Sequence, residues 1–134
     1  MEQFIAELME AWNTHDVDRV VMFYSQDYEG QDVAEAAPQR GQQGIRKSIE
    51  RYLSAFPDLH LIAEDTVIQD DRIALVWTAR GTHKGLLMNI PATGQTVAVR
   101  GVSLFTLEDD KIRRGTYIWD VAGLLRAIRL LPDL

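Results

Sequence analysis

The sequence contains no cysteine among its 134 residues. Disulfide bonds, thiolate metal ligands and thiol nucleophiles are therefore excluded, and a chain without cysteine fits a reducing cytoplasm. Long apolar runs are also missing, so no segment is predicted to cross a bilayer. The N-terminal stretch carries acidic residues at intervals and lacks a basic start, so it is predicted to be a helix of the folded domain and not a signal peptide.

Positive charge is scarce as well. Fourteen Lys and Arg residues stand against twenty Asp and Glu residues, which gives a formal net charge of −6 at pH 7. Nucleic acids and anionic membranes are bound by concentrated Lys and Arg, which this sequence lacks. No nucleic-acid partner and no membrane partner is therefore predicted.

The familiar motifs of cofactor and metal chemistry are missing too. The three histidines, His15, His60 and His83, do not have the spacing of a metal site, and no HExxH motif is present. No serine lies in a GxSxG turn, and no glycine-rich phosphate loop occurs. We therefore expect no metal and no organic cofactor.

Apolar periodicity defines the fold that remains. Hydrophobic residues make up 46% of the chain, enough for one ordinary domain with a substantial core. Helical spacing predicts helices over residues 4–12, 17–24, 44–56 and 121–131, and alternation predicts strands over 59–68, 72–83, 95–107 and 112–119. The polar segment 25–44 is predicted to be a loop with one short strand near 28–33. Helices followed by antiparallel strands predict an α+β fold in which a curved sheet and its helices enclose a cavity.

The last strand and the last helix meet at Asp120. Two interpretations are open. Its carboxylate caps the helix by accepting hydrogen bonds from free backbone N–H groups, or it transfers protons at the mouth of a cavity. By itself, the pattern of an Asp before an apolar helical run favours capping. If Asp120 faces the cavity, strict alternation puts Thr116 and Ile118 on that same face and Trp119 on the other, unless a bulge resets the phase.

Two further residues are candidates for substrate contact. Arg100 stands among valines on the preceding strand, either face of which could line the cavity, and a guanidinium in apolar surroundings needs a partner. The alternative is an Arg that faces solvent. His83 lies where a strand gives way to the longest loop of the sheet, so it is either a residue at the cavity mouth or an ordinary residue at a strand end.

Six ordered segments resemble the SnoaL-like polyketide cyclase family, within the nuclear-transport-factor-2-like superfamily. Each segment is short, but together they cover nearly the whole chain in the order expected of that family. They are Trp12-Asn13-Thr14-His15-Asp16, Ala55-Phe56-Pro57-Asp58-Leu59, Gly81-Thr82-His83-Lys84-Gly85, Pro91-Ala92-Thr93-Gly94, Asp110-Lys111-Ile112, and Trp119-Asp120 with Gly123-Leu124-Leu125. The resemblance implies a cone-shaped barrel of a curved mixed, mostly antiparallel sheet, packed against N-terminal helices and followed by a C-terminal helix.

The resemblance also implies a chemistry. In such cyclases the carboxylate at the place of Asp120 is the acid/base of an intramolecular aldol condensation that closes a ring of an aromatic polyketide without a cofactor. Burial in an apolar pocket would strengthen such a base, and the conjugated carbonyls of the substrate would delocalise the enolate. The implied substrate is a small hydrophobic or aromatic carbonyl compound. The predicted substrate contacts are His83, Arg100, Trp119, Thr116 and Ile118.

Departures from the family pattern leave other functions open. Arg114 and Thr116 stand where many relatives carry a Glu and a Trp, and Ala92 replaces a second proline. A cofactor-free polyketide hydroxylase or isomerase, and a non-catalytic small-molecule binder, are therefore alternatives.

The strands carry more Val, Ile and Phe than one solvated face needs. The sequence therefore predicts self-association through the sheet, most simply as a homodimer.

Overall fold

The computed structural model describes residues 1–133. Within these residues, four helices and six strands follow one another. In order they are α1 (Glu2–Asn13), α2 (Val17–Val21), β1 (Tyr24–Asp32), β2 (Gln39–Arg40), α3 (Gly41–Ala55), β3 (His60–Gln69), β4 (Arg72–Thr82), β5 (Thr96–Glu108), β6 (Lys111–Trp119) and α4 (Val121–Ala127). Within residues 1–133, no helix is long and apolar enough to cross a membrane.

All six strands form one sheet in the order β2-β1-β6-β5-β4-β3. The four long strands β3 to β6 pair antiparallel with one another in chain order. The short strand β2 pairs antiparallel with β1, and β1 runs parallel to β6. The α+β class and the mixed, mostly antiparallel sheet are therefore confirmed. Parallel neighbours need a long crossover, and here the chain passes from β1 through β2, α3 and the three strands β3 to β5 before it returns as β6.

Strand β1 differs from the predicted loop. Nine residues, Tyr24–Asp32, are extended, where the sequence left room for only a short strand near 28–33. Its exposed positions carry Gln, Asp and Glu, and its register against β6 shifts between Tyr24 and Glu29. The buried residues of β1 consequently recur every four positions, at Tyr24, Tyr28 and Asp32. This spacing hides the period of two by which a strand is recognised in the sequence.

The helix ends also differ from the predicted boundaries. Helix α4 ends at Ala127, short of the predicted residue 131, and α2 ends at Val21. The start of α2 agrees with the sequence, because the side chain of Asp16 accepts a hydrogen bond from the backbone N–H of Arg19 at 3.1 Å.

The core consists of two clusters of buried apolar residues. The larger one lies where α1, α2 and α3 pack on the sheet and includes Leu8, Ile49 and Phe105. The smaller one lies under α4 and the end of α3 and includes Phe56 and Leu124. The cavity described below is lined by residues of both clusters, so it lies between the two parts of the core.

Candidate functional site

A cavity of about 110 Å³ lies between the helices and the concave face of the sheet. Apolar and aromatic side chains form most of its wall, with a few polar groups among them. Its lining residues are Leu8, Met9, Trp12, Tyr24, Asp32, Gln39, Ile45, Ser48, Ile49, Tyr52, Phe56, Leu59, Leu61, Leu75, Trp77, Ala79, Arg80, Val97, Val99, Ser103, Phe105, Tyr117, Trp119 and Leu124. An apolar wall with a few placed polar groups is typical of a small-molecule site.

Asp32 is the one carboxylate of the described residues in this lining, and it is only 3% exposed. It is the last residue of β1. Its Oδ2 accepts a hydrogen bond from the hydroxyl of Tyr52 at 2.7 Å, and its Oδ1 accepts one from the indole Nε1 of Trp119 at 2.9 Å. Oδ1 also accepts one from the backbone N–H of Ala34 at 2.8 Å. A carboxylate offers about four acceptor positions, so three donors leave about one position for a ligand.

The two side-chain donors to Asp32 hold each other in place. The rings of Tyr52 and Trp119 meet edge to face, with centroids 6.2 Å apart. Glycine at position 101 makes room for the indole, because a Cβ there would lie 2.8 Å from the Cβ of Trp119 and 2.4 Å from Cζ2 of Trp77. Burial and the nearby Asp32 carboxylate raise the pKa of Tyr52, so its phenol keeps its proton and donates.

Three tyrosines cluster on one side of the site, and the rings of Tyr24 and Tyr28 meet edge to face with centroids 4.8 Å apart. The hydroxyls of Tyr24 and Tyr117 are hydrogen-bonded to each other, and both residues line the cavity. Tyr28 donates to Oε1 of Gln39 at 2.6 Å. Burial raises the pKa of all three tyrosines, so they remain protonated hydrogen-bond donors at neutral pH.

A polar network beside the cavity is organised by Glu35, which follows the turn after β1. Its carboxylate accepts from the hydroxyl of Ser48 at 3.0 Å and pairs with Nη1 of Arg51 at 3.0 Å. Nε2 of Gln39 donates to Oγ of Ser48, also at 3.0 Å. The network ties the turn after β1 to helix α3, and so fixes the backbone that presents Asp32. Among residues 1–133, no group of three or more His, Asp or Glu residues is placed to hold a metal ion.

Asp120 lies outside this lining. It is exposed and occupies the N-cap of α4, where its Oδ1 accepts a hydrogen bond from the backbone N–H of Gly123 at 2.8 Å. The capping interpretation therefore describes its contacts. Its catalytic role stays a prediction, and its position does not favour that role.

The strict alternation that would place Thr116 and Ile118 on the cavity face with Asp120 does not occur, because a bulge resets the phase of β6. Thr106 pairs with Arg114 and Leu107 with Ile112, so Arg113 is an extra residue, a bulge, in β6. The bulge reverses the alternation that follows it. Trp119 consequently points into the cavity, whereas Thr116 is exposed and Ile118 is 48% exposed on the outer face.

His83 and Arg100 are also absent from the lining. Arg100 is exposed and its neighbours Val99 and Gly101 in β5 are buried, so it takes the solvent-facing position that the sequence left open. His83 is fully buried, and its Nδ1 lies 3.0 Å from Oγ1 of Thr93. Its backbone N–H donates to the carbonyl of Gln95 at 2.9 Å, so it anchors the connection between β4 and β5. Its Nε2 has no hydrogen-bond partner among the described residues.

Of the six site residues predicted from the sequence, only Trp119 lines the cavity. Asp32, Tyr52, Ser48 and Gln39 were missed. Asp32 precedes an Ala-Glu-Ala-Ala-Pro stretch, where an Asp is an ordinary residue at the start of a turn. The backbone N–H of Ala34 does bond to it as in such a turn. The sequence signal was therefore present but did not distinguish a turn from a buried site.

The fold matches solved structures of the nuclear-transport-factor-2-like class over nearly the whole chain. AclR from Streptomyces galilaeus, provisionally assigned as a hydroxylase, is 28% identical with a TM-score of 0.86, covering 99% of this chain and 87% of AclR. TsrD from Streptomyces laurentii is 27% identical with a TM-score of 0.86, covering 97% of this chain and 95% of TsrD. IdmH from Streptomyces antibioticus, a provisionally assigned polyketide cyclase, is 25% identical with a TM-score of 0.81, covering 95% of this chain and 96% of IdmH.

Sequence comparison assigns the family. The SnoaL-like polyketide cyclase family model matches residues 3–128. The chain therefore belongs to the SnoaL-like polyketide cyclase family, as the six ordered segments indicated. No curated protein is significantly similar to it in sequence.

Proposed function

We propose that this protein is a cofactor-free cyclase in which Asp32 is the acid/base for an intramolecular aldol ring closure of a polyketide or related ketoester. The observation that carries the proposal is a buried carboxylate in the apolar cavity, fixed by Tyr52, Trp119 and Ala34 with about one acceptor position left. A general base must be held within reach of the proton that it removes, and three hydrogen bonds hold this one.

The proposed reaction needs only one group that takes and returns a proton. Asp32 removes a proton from a carbon between two carbonyls, and the electron pair of the C–H bond passes into the enolate. The enolate carbon forms the new C–C bond with a second carbonyl carbon of the same molecule. The resulting alkoxide takes the proton back from Asp32, so the ring closes without loss or gain of atoms. One hydroxyl of the Tyr24–Tyr117 pair is a candidate donor to the oxygen that gains charge, because the Tyr52 hydroxyl already donates to Asp32.

The size of the cavity limits the substrate. A volume of about 110 Å³ lies well below the range of about 300–1,000 Å³ that is usual for sites of drug-sized molecules. The cavity therefore suits the reacting ring of a substrate, and the remainder of a larger molecule would have to extend out of it.

The test compares Asp32→Asn with Asp120→Asn on a panel of aryl β-ketoesters that carry a second carbonyl, with products identified by mass spectrometry. We expect Asp32→Asn to lower kcat by about a hundred- to ten-thousand-fold, the usual contribution of a general base. Asp120→Asn keeps a good N-cap, and its kcat should stay within about twofold of that of the wild type. The opposite result would move the base to Asp120, and binding without any turnover by the wild type would argue against an enzyme.

A second candidate is hydroxylation of the same class of substrate. The similarity to AclR over 99% of this chain favours it. The same panel, extended to anthraquinone-type substrates and incubated in air with a two-electron reductant that converts the second oxygen atom of O2 to water, separates the two candidates. Ring closure yields a product of unchanged mass, or one that has lost water, whereas hydroxylation adds one oxygen atom.

A further inference from the structure

A second depression adjoins the cavity and is much larger, about 840 Å³. We call it the vestibule. Three side chains, Gln39, Ser48 and Tyr52, line both the vestibule and the cavity, so the two spaces share a wall. The vestibule is lined by residues 34–40, by residues 43, 44, 47, 48, 51 and 52 of helix α3, and by residues 86–89 of the connection between β4 and β5. A substrate larger than the cavity would extend into this space.

The charge of the vestibule is opposite to that of the protein. Among the described residues, three basic side chains, Arg40, Lys47 and Arg51, and one acidic side chain, Glu35, line it, although the whole chain has a net charge of −6. Lys47 and Arg51 are four residues apart on α3 and so lie on the same face of the helix.

Most of the basic charge is not neutralised within the protein. The Glu35 carboxylate pairs with Arg51 and accepts from Ser48, so its charge is already matched. Within residues 1–133, neither Arg40 nor Lys47 forms a salt bridge. The vestibule therefore retains positive charge for a ligand.

The wall formed by residues 86–89 is of a different character. Leu86 is 61% exposed and Met88 is 37% exposed, and Leu87 lies between them. A depression with apolar side chains on one wall and cationic side chains on another complements a molecule that has an apolar body and an anionic edge.

We propose that the vestibule is a second subsite, in which Lys47 and Arg40 bind a carboxylate or another oxyanion carried by the substrate, with Arg51 held beside them by Glu35. The proposal deepens the proposed function, because the ligand is the part of the substrate that the cavity cannot hold. It predicts that the natural substrate is an acid and not an uncharged ester at that end.

The experiment uses two fluorescent probes with the same aromatic skeleton, anilinonaphthalene sulfonate and the uncharged phenylnaphthylamine. Their Kd values are measured for the wild type, Lys47→Glu and the matched control Arg72→Glu. Arg72 is exposed at the opposite end of β4 from the β4–β5 connection, and its substitution changes the net charge equally.

We expect Lys47→Glu to raise the Kd of the sulfonate probe about tenfold, because one nearby positive charge is replaced by a negative one. The Kd of the neutral probe should change by no more than about twofold. Added salt should raise the Kd of the sulfonate probe and leave that of the neutral probe unchanged. Arg72→Glu should change neither Kd by more than about twofold.

Three results would overturn the proposal. They are equal weakening of both probes by Lys47→Glu, an effect of Arg72→Glu as large as that of Lys47→Glu, and no binding of the sulfonate probe to the wild type. The measurement involves no turnover, so its failure is distinct from failure of the proposed ring closure, which is judged from products.

Discussion

Two aspartates are neighbours of Trp119, one in space and one in sequence, and one of them is buried while the other is exposed. Asp32 lies at the end of β1, is 3% exposed, and accepts hydrogen bonds from the Trp119 indole and from Tyr52. Asp120 follows Trp119 directly in the chain, is exposed, and accepts from the first turn of α4. Asp120 is next to Trp119 in the sequence but caps a helix at the surface. Asp32 is far from Trp119 in the sequence, and the pairing of β1 with β6 brings it to the buried indole.

A junction between a strand and a helix is therefore not in itself a functional site. Capping requires only the local chain, because the acceptor and the donor are three residues apart. A buried carboxylate requires donors from several elements, and Asp32 takes them from α3, from β6 and from the turn after β1. Three predictions test whether the two regions differ as described, in order of decreasing effect.

The first prediction concerns the burial of the tyrosines in and around the cavity, measured by their ionisation. All four tyrosines of the chain, Tyr24, Tyr28, Tyr52 and Tyr117, have a pKa raised by burial. About one pH unit above the usual tyrosine pKa of about 10, an exposed tyrosine is roughly nine-tenths ionised, and these four should show almost no phenolate absorbance.

The same shifts determine how stability depends on pH. Because the pKa values are raised in the folded state, their contribution is complete below the ordinary tyrosine pKa, and stability falls as the pH rises above it. Phenolate absorbance and unfolding, followed by circular dichroism, should therefore appear together. A tyrosine that ionises in the folded protein would contradict the described burial.

The second prediction compares the two aspartates by stability. Asp32→Ala leaves the donors Tyr52, Trp119 and Ala34 without their acceptor and should lower the free energy of unfolding by about 2–3 kcal/mol. Asp120→Ala removes one helix cap and should cost about 1 kcal/mol. Urea denaturation of both variants measures the difference.

A rescue experiment accompanies this comparison. Asp120→Ser restores a capping oxygen and should recover most of the loss, since Ser is as good as Asp at an N-cap. Asp32→Ser has too short a side chain to reach the same donors and should not. Equal costs for the two alanine variants would show that the two carboxylates do not differ as their burial indicates.

The third prediction concerns the outer face of the sheet, opposite the cavity. Val76, Val102 and Ile118 are in register across β4, β5 and β6, and Ile118 is 48% exposed. In the homodimer that the sequence predicts, which stays a prediction, this apolar row is the surface at which the two sheets would meet face to face.

Ile118→Lys should then shift the protein toward the monomer at micromolar concentration, while changing the stability of the monomer itself by no more than about 0.5 kcal/mol. Leu130→Lys, at a position 54% exposed beyond α4, is the control and should leave association unchanged. Size-exclusion chromatography with light scattering measures both variants. A wild type that is monomeric in this measurement would refute the homodimer.

Much of the fold was readable from the sequence. The helical spacing of α1 and α3 and the alternation of β3, β4 and β5 report burial along a single element, and the structure places these elements close to the predicted ranges. The capping roles open to Asp16 and Asp120 could also be read, since a cap depends on residues a few positions away.

Features that depend on distant residues could not be read in this way. Strand β1 is recognisable only from its pairing with β6, because its exposed face is polar and its register is shifted. Trp119 turns toward the cavity because of one extra residue, Arg113, whose presence in the pairing no local pattern reveals.

The α+β class, the family and the capping role open to Asp120 all follow from the sequence, because local periodicity and short motifs suffice for each. The burial of Asp32 in the cavity and its hydrogen bond from Trp119 follow only from contacts between distant elements. The physical reason is that a buried charge is tolerated only where several elements bring donors to it. Here those donors come from positions 20 and 87 residues away in the chain.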